Sequence, residues 1–191
     1  MTEELGSALP TQKTSLVRLT IIVFAGVALA AAFSYWLKSR VSHEPRGGLQ
    51  VGAPMPELRA AGWLNGSAPS QAELAGKVVF VNAWFTTCPN CHEQTPELVQ
   101  LYKKYHDRGV IFIGLTYEPP EMLDDIKFTL GKLEMTWTNG YGALETLQAF
   151  DVTGFPSYWL IGPDGRVAWN IDSHKTLEAA IDEAMAAANV E

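Results

Sequence analysis

The sequence predicts an α/β fold in which helices flank a central mixed sheet. Two short apolar runs, 78–81 and 110–115, have the composition of strands that are buried on both faces, and an amphipathic helical pattern separates them. A β-hairpin pattern and a closing helix follow towards the C-terminus. This order of elements is typical of parallel strands joined by a crossover, to which the hairpin adds antiparallel pairing.

Composition and charge narrow the class of protein. The chain has 191 residues, 47% of them hydrophobic, and a formal net charge of −7. The apolar fraction argues against wholesale disorder, and an acidic globular part without a basic stripe argues against nucleic acid as a partner. Two cysteines are too few for a disulfide-rich scaffold or a four-thiolate zinc site.

An uncharged run from Leu19 to Leu37 predicts one transmembrane helix. As a helix its 19 residues would span about 28 Å, close to the ~30 Å hydrocarbon core of a bilayer. Residues 1–18 are then an N-terminal flank, and the polar segment 38–48 is a linker to a domain over 49–191. A cleaved signal peptide is the alternative, because the alanine-rich stretch 28–32 could hold a cleavage site.

The first half of the domain follows a strand–helix–strand pattern. Residues 78–81 predict a strand, and 96–105 carry apolar side chains at i, i+3, i+4 and i+7, which indicates one helical face. Gly109 ends that helix, and residues 110–115 predict a second buried strand.

The second half predicts two helices around a short strand, then the hairpin. Pro119 and Pro120 begin one helix, residues 135–137 are a candidate strand, and 143–150 form a short helix. Strands over 157–161 and 166–170 flank a Gly-Pro-Asp-Gly turn, and 176–189 close the chain with a helix. In the two helices around the candidate strand, the side chains expected to face the core are Ile126, Leu130, Leu133, Leu144 and Leu147.

Both cysteines lie in a Cys-Pro-Asn-Cys motif between a strand and a helix. At a helix N-terminus, unpaired N–H groups and the helix dipole favour a thiolate and lower the pKa of the first thiol. Pro89 suits the first helical turn, because its missing N–H would have no partner there. We therefore assign Cys88 as the attacking thiol and Cys91 as the resolving thiol of a redox-active disulfide, with no metal and no other cofactor.

Three other uses of the cysteine pair are weaker. A disulfide that closes so short a loop stabilises little. No second Cys-x-x-Cys or histidine pair follows to complete a zinc site. His92 adjoins the pair, but no Met or His is spaced to complete a copper site. A copper metallochaperone nevertheless remains an alternative function.

Residues 80–91, FVNAWFTTCPNC, resemble the active-site stretch of the thioredoxin superfamily, and more narrowly of the TlpA/ResA-like membrane-anchored thiol–disulfide oxidoreductases. The resemblance covers roughly 49–190 and implies a thioredoxin-like fold with a helix-and-strand insertion over 118–147. The other matching stretches are VGAPMP at 51–56, LAGKVV at 74–79, Pro96, and GFP at 154–156 followed by the hairpin.

The resemblance also implies roles for residues around the pair. The peptide bond before Pro156 is expected to be cis, in a loop beside Cys88 where a bound polypeptide pairs with exposed backbone. Phe155 stands where a small or β-branched residue is usual, which affects partner specificity. Trp84 is expected to pack in the core beside the pair. Asn82 occupies the place of a buried acid in many thioredoxins and can only hydrogen-bond.

Two further departures concern the start of the active-site helix. ResA-like proteins have a Glu three residues after the second cysteine, where this chain has Gln94. Glu93 is one place earlier, about 100° around the helix, and is expected to be a solvated carboxylate. His92 is expected to face solvent.

The function implied by the resemblance is dithiol–disulfide exchange with protein thiols and disulfides, with a membrane thiol protein as reductant donor and cytochrome c maturation as a frequent task. A tether is most useful outside the cytoplasm, so we expect a single-pass protein of a bacterial cytoplasmic membrane with an extracytoplasmic C-terminal domain. The flanking basic residues, two before the run and three after it, favour the opposite orientation. A peroxiredoxin-like peroxidase is a weaker alternative, because Val81 and Phe85 replace the Pro and Thr of that motif.

Overall fold

The computed structural model describes residues 13–40 and 48–188, which belong to two compact units. The first unit contains helix α1, Lys13–Arg40, and the side chains described over 21–35 are exposed. Among the described residues, no helix combines the length and the apolarity that crossing a membrane requires. Residues 1–12 of the predicted flank and 41–47 of the predicted linker lie outside the described residues.

The second unit is built on a six-stranded mixed sheet, which confirms the predicted fold class. Its strands are β1 Gly62–Leu64, β2 Val79–Ala83, β3 Ile111–Leu115, β4 Thr138–Tyr141, β5 Ser157–Ile161 and β6 Val167–Asn170. They lie in the order β1-β4-β3-β2-β5-β6. The β2–β3 and β3–β4 pairs are parallel, and the other three pairs are antiparallel.

Five helices accompany this sheet: α2 Gln71–Leu74, α3 Pro89–Tyr105, α4 Leu123–Lys132, α5 Leu144–Ala149 and α6 Leu177–Ala188. Ser70 and Glu73 form a reciprocal capping box on α2. After α3, a 3₁₀ turn ends at Gly109, whose φ of +94° suits a residue without a side chain. One helix and one strand, α4 and β4, follow β3, as expected of the insertion.

The core has two apolar clusters, one on each face of the sheet. Successive side chains of a strand point to opposite faces, so Phe80 joins one cluster while Val79 and Val81 join the other. The Phe80 cluster includes side chains of α3, α4 and α6 together with both cysteines, whereas Leu147 of α5 belongs to the other cluster. The redox pair is therefore part of the core on the α3 face.

Three details of the domain differ from the sequence prediction. The strand expected at 135–137 begins instead at Thr138, and the side chains of Met135 and Trp137 are buried in the core before it. Leu144 was expected to face inward but is 54% exposed at the start of α5. Strand β1 was not predicted, because three residues at a sheet edge carry too little pattern.

Candidate active site

Strand β2 and helix α3 position the cysteine pair. All five residues of β2 are buried, and a short loop over 84–87 leads from its end to Cys88, the N-cap residue of α3. Cys88 has extended backbone angles, and its Sγ accepts a hydrogen bond from the Cys91 N–H at 3.1 Å. Pro89 is the first residue of the helix. The Cys88 sulfur therefore takes the place of a capping oxygen and satisfies one of the free N–H groups of the helix.

Cys88 and Cys91 are joined by a disulfide bond, with their Cα atoms 5.2 Å apart. That separation lies in the usual range for disulfides. The two residues are only 2% and 3% exposed. The two cysteines can form and break a disulfide, but in the oxidised form little of either residue is exposed to an attacking thiol.

The loop before β5 lies at the same edge of the sheet as the cysteine pair. The Phe155–Pro156 peptide bond is cis, and Pro156 is buried. Ser157, the next residue, pairs with Ala83 at the end of β2. The two loops therefore leave adjacent ends of neighbouring strands, which is the relation that the resemblance implies.

Three aromatic side chains, Phe85, Tyr117 and Phe155, contact one another beside this edge; we call them the aromatic trio. Their ring centroids are 5.2 Å apart for Phe85–Phe155, 5.7 Å for Tyr117–Phe155 and 5.9 Å for Phe85–Tyr117. Phe85 and Phe155 are half-buried, and Tyr117 is 40% exposed. The sequence singled out only Phe155, since the trio draws on three separate loops.

Asn82 and Trp84 are buried, and both make long-range hydrogen bonds. Asn82 Oδ1 accepts a bond from the Trp137 indole N–H at 3.2 Å. The Trp84 indole N–H donates to Asn139 Oδ1 at 3.0 Å. Trp84 belongs to the core cluster that holds both cysteines, and Asn82 uses its amide as a hydrogen-bond acceptor, as its chemistry requires.

Glu118 is a buried carboxylate near the pair that sequence reasoning missed. It is 3% exposed, and both carboxylate oxygens accept the Thr86 N–H, at 3.0 and 3.1 Å. The hydroxyl groups of Thr86 and Thr116 donate to it as well. The only available signal was its place three residues after a buried strand, since Thr86 lies 32 residues away along the chain.

His92 is half-buried, which corrects the expectation that it faces solvent. Its Nε2 lies 2.7 Å from the carbonyl oxygen of Thr86. A carbonyl can only accept, so Nε2 carries the proton and donates this bond. Glu93 is exposed, in agreement with the prediction for it. Among the residues that the structure describes, no group of three or more His, Cys, Asp or Glu side chains is placed to hold a metal ion.

Comparisons with known proteins agree with this geometry. A Bacillus cereus thiol-disulfide oxidoreductase ResA is 28% identical over 137 residues, covering 68% of this chain and 74% of the relative. The Bacillus subtilis ResA is 26% identical over 108 residues, covering 54% of this chain and 57% of the relative.

Solved structures support the fold. The thioredoxin domain of a thiol-disulfide oxidoreductase from Bacteroides vulgatus superposes with a TM-score of 0.61 at 24% identity, over 71% of this chain and 97% of the other. At that identity the likeness shows the fold alone, and it confirms the thioredoxin-like architecture.

The family model described as Redoxin matches residues 50–186, a range that contains both cysteines and the cis-proline loop. Together with the ResA relatives, this match confirms the prediction of a TlpA/ResA-like thiol–disulfide oxidoreductase of the thioredoxin superfamily, which acts through its cysteine pair. The chain belongs to the Redoxin family.

Proposed function

We propose that this chain is a membrane-tethered oxidoreductase that exchanges dithiols and disulfides with extracytoplasmic protein partners through Cys88 and Cys91. The proposal depends above all on one observation, the Cys88–Cys91 disulfide at the N-terminus of α3. This position supplies free N–H groups and the positive end of the helix dipole to the Cys88 sulfur. Both features favour a thiolate, which is the reactive form.

The reaction is a two-electron exchange. In the reduced protein the Cys88 thiolate attacks one sulfur of a partner disulfide, and the other partner sulfur leaves as a thiolate. A bond between Cys88 and the partner now exists. The Cys91 sulfur, having lost its proton, attacks the Cys88 sulfur, re-forms the internal disulfide and releases the second partner sulfur. The partner gains two electrons, and the reverse sequence oxidises it.

Partner recognition is proposed for the surface beside the pair. The cis-proline loop leads into β5 at the edge where Cys88 lies, which suits strand-like pairing with a partner backbone. The partly exposed aromatic trio next to it offers apolar contact area. We therefore expect protein substrates with an apolar side chain close to the reactive cysteine, and a specificity that depends on Phe155.

The tether and its location are proposed from the sequence. No charged residue occurs from Leu19 to Leu37, and the side chains described over 21–35 are exposed. A run without charged residues favours contact with lipid over contact with water. We propose that a membrane thiol protein reduces the disulfide of the pair. We also propose that the process served is cytochrome c maturation, a frequent task of the TlpA/ResA-like branch.

Trapping tests the exchange reaction. A Cys91→Ala variant keeps the attacking thiol but cannot resolve the mixed disulfide, so we expect a stable covalent complex whose partner is identified by mass. The Cys88→Ala/Cys91→Ala double variant is the control and should trap nothing. If the wild-type protein fails to reduce insulin, and instead binds one Cu(I) ion tightly through the pair, the metallochaperone alternative replaces this proposal.

Labelling tests the location. A membrane-impermeant maleimide applied to intact cells after reduction should label wild-type protein in the membrane fraction and should not label the double variant. Labelling that appears only after lysis contradicts the extracytoplasmic placement. Recovery of the full-length chain in the soluble fraction contradicts the tether.

A further inference from the structure

The peptide groups on both sides of Thr86, two residues before Cys88, are held by side chains from elsewhere in the domain. The Thr86 N–H donates to the Glu118 carboxylate, and the Thr86 carbonyl accepts from His92 Nε2. The Thr86 hydroxyl also donates to Glu118. Thr86 itself is buried, at 7% exposure. This loop residue therefore has a partner for each of its polar groups.

Glu118 is itself fixed in place. The Thr116 hydroxyl donates to its Oε2 at 2.9 Å, and its backbone carbonyl accepts the Gly142 N–H at 2.7 Å. The carboxylate is thus both buried and held from two sides, and it connects the loop after β3 to the loop before α3. Buried carboxylates with several donors are costly to disturb, because a lost partner leaves charge without compensation.

His92 provides the second connection, from within the active-site helix. Its backbone N–H donates to the Cys88 carbonyl at 3.1 Å, while its ring donates to the Thr86 carbonyl at 2.7 Å. His92 thus contacts backbone groups both at Cys88 and two residues before it. The Glu93 side chain, at the next position of the helix, is exposed and makes no hydrogen bond to Thr86.

We infer that Glu118 and His92 are positioning residues that set the reduction potential of the cysteine pair by holding Thr86, and this inference rests on the proposed function. Reduction breaks the S–S bond and takes up two electrons and one proton, which leaves Cys88 as a thiolate and Cys91 as a protonated thiol. The covalent link between the Cys88 and Cys91 side chains is then gone. The contacts at Thr86 remain to keep the Cys88 sulfur facing the Cys91 N–H, which stabilises the thiolate.

The sign of the effect follows from this geometry. Loosening Thr86 weakens the hydrogen bond to the thiolate, so the reduced form becomes less stable relative to the disulfide. The pKa of the Cys88 thiol then rises and the reduction potential becomes more negative. We expect about a tenfold change in the equilibrium constant with glutathione, which corresponds to about 30 mV.

The experiment uses the full-length chain purified in mild detergent. Glu118→Gln keeps the size of the side chain but removes one acceptor oxygen, and His92→Ala removes the other contact. Thr86→Val deletes the hydroxyl, while Thr86→Ser restores it. Glu93→Gln and His106→Ala are the matched controls, because Glu93 and His106 are exposed and neither bonds to Thr86. Glutathione equilibria give the potential, and the ultraviolet absorbance of the thiolate, followed against pH, gives the thiol pKa.

A lowered potential and a raised thiol pKa in Glu118→Gln, His92→Ala and Thr86→Val, with wild-type values in Thr86→Ser and in both controls, support the inference. Folded variants whose potential and thiol pKa match wild type overturn it, even if their thermal stability falls. Should Glu118→Gln not fold, His92→Ala decides, because His92 is only half-buried. A wild-type chain that does not equilibrate with glutathione contradicts the proposed function instead.

Discussion

Asn82→Asp tests how much stability the domain loses when a carboxyl group is placed at a buried position of β2. Asn82 is 2% exposed, and its Oδ1 accepts a hydrogen bond from the Trp137 indole. The introduced carboxyl would keep that bond but lose its hydration. Burial of this kind raises a carboxyl pKa by up to about 3–5 units. With one hydrogen bond kept, we take a rise of roughly 3 units, or about 4 kcal/mol of lost stability at neutral pH.

The sign of the pH dependence follows from the raised pKa. Below the unfolded pKa of about 4 the carboxyl is protonated in both states, and the variant loses little. As the pH rises, the unfolded state ionises first, so the variant loses stability up to about pH 7. Urea unfolding of the oxidised protein at pH 4 and pH 7 measures this difference.

Gln100→Glu is the matched control, because it adds the same charge at an exposed position of α3. Its unfolding free energy should stay within about 0.5 kcal/mol of wild type at both pH values. If Asn82→Asp loses the same stability at pH 4 as at pH 7, the introduced carboxyl is not desolvated. The account of Asn82 as a buried neutral acceptor is then wrong.

Three further predictions concern the pH response, the packing and the recognition surface. Burial raises the pKa of Tyr105, and its hydrogen bond to the Asp182 carboxylate raises it further, so Tyr105→Phe should cost about 1 kcal/mol at pH 7. That cost should shrink above about pH 10 in urea titrations, where the wild-type advantage is lost. Gly114→Ala places a methyl group 1.8 Å from Asn139 Oδ1, so unfolding should show a loss of about 2–4 kcal/mol. Phe155→Ala should slow insulin reduction roughly fivefold, about 1 kcal/mol, yet leave the reaction with a small disulfide unchanged.

Local patterns were sufficient to predict the elements that carry the cysteine pair. The strand that became β2 is an unbroken apolar run, and the helix that became α3 has a clear apolar face and a Cys-Pro start. Each signal is contained within a few neighbouring residues, because period and capping are local properties. The place of Cys88 at the N-terminus of α3 could therefore be predicted from the motif and its surroundings.

Predictions were weaker where burial and backbone pairing compete for the same residues. Met135 and Trp137 have strand-like composition, but the sheet uses the next residues, Thr138 to Tyr141, and leaves those two side chains to fill the core. The pattern of apolar side chains indicates which residues are buried. Which residues form the strand depends instead on which segment can pair with β3 in register. Leu144 shows the reverse case, since an apolar residue at the first turn of a short helix can remain exposed.

The contacts that shape the active site could not be predicted, because each joins residues far apart along the chain. Asn82 meets Trp137 and Trp84 meets Asn139, both across 55 residues, and Glu118 meets Thr86 across 32. No single segment contains a sign of its distant partner. The Cys-Pro-Asn-Cys motif therefore specifies the reaction, while its energetics depend on groups outside the motif.

Because the motif specifies the reaction and other groups affect its energetics, the chain can lack the buried acid of many thioredoxins and still keep a buried carboxylate near the pair. At Asn82 a neutral amide accepts the Trp137 N–H, so no charge lies within the strand itself. The charge of the Glu118 carboxylate is balanced by hydrogen bonds from Thr86 and Thr116. The carboxylate thereby holds the backbone N–H of Thr86 in place. A carboxylate in that arrangement is bound by donors that stay in place, so it is suited to fixing geometry rather than to exchanging protons.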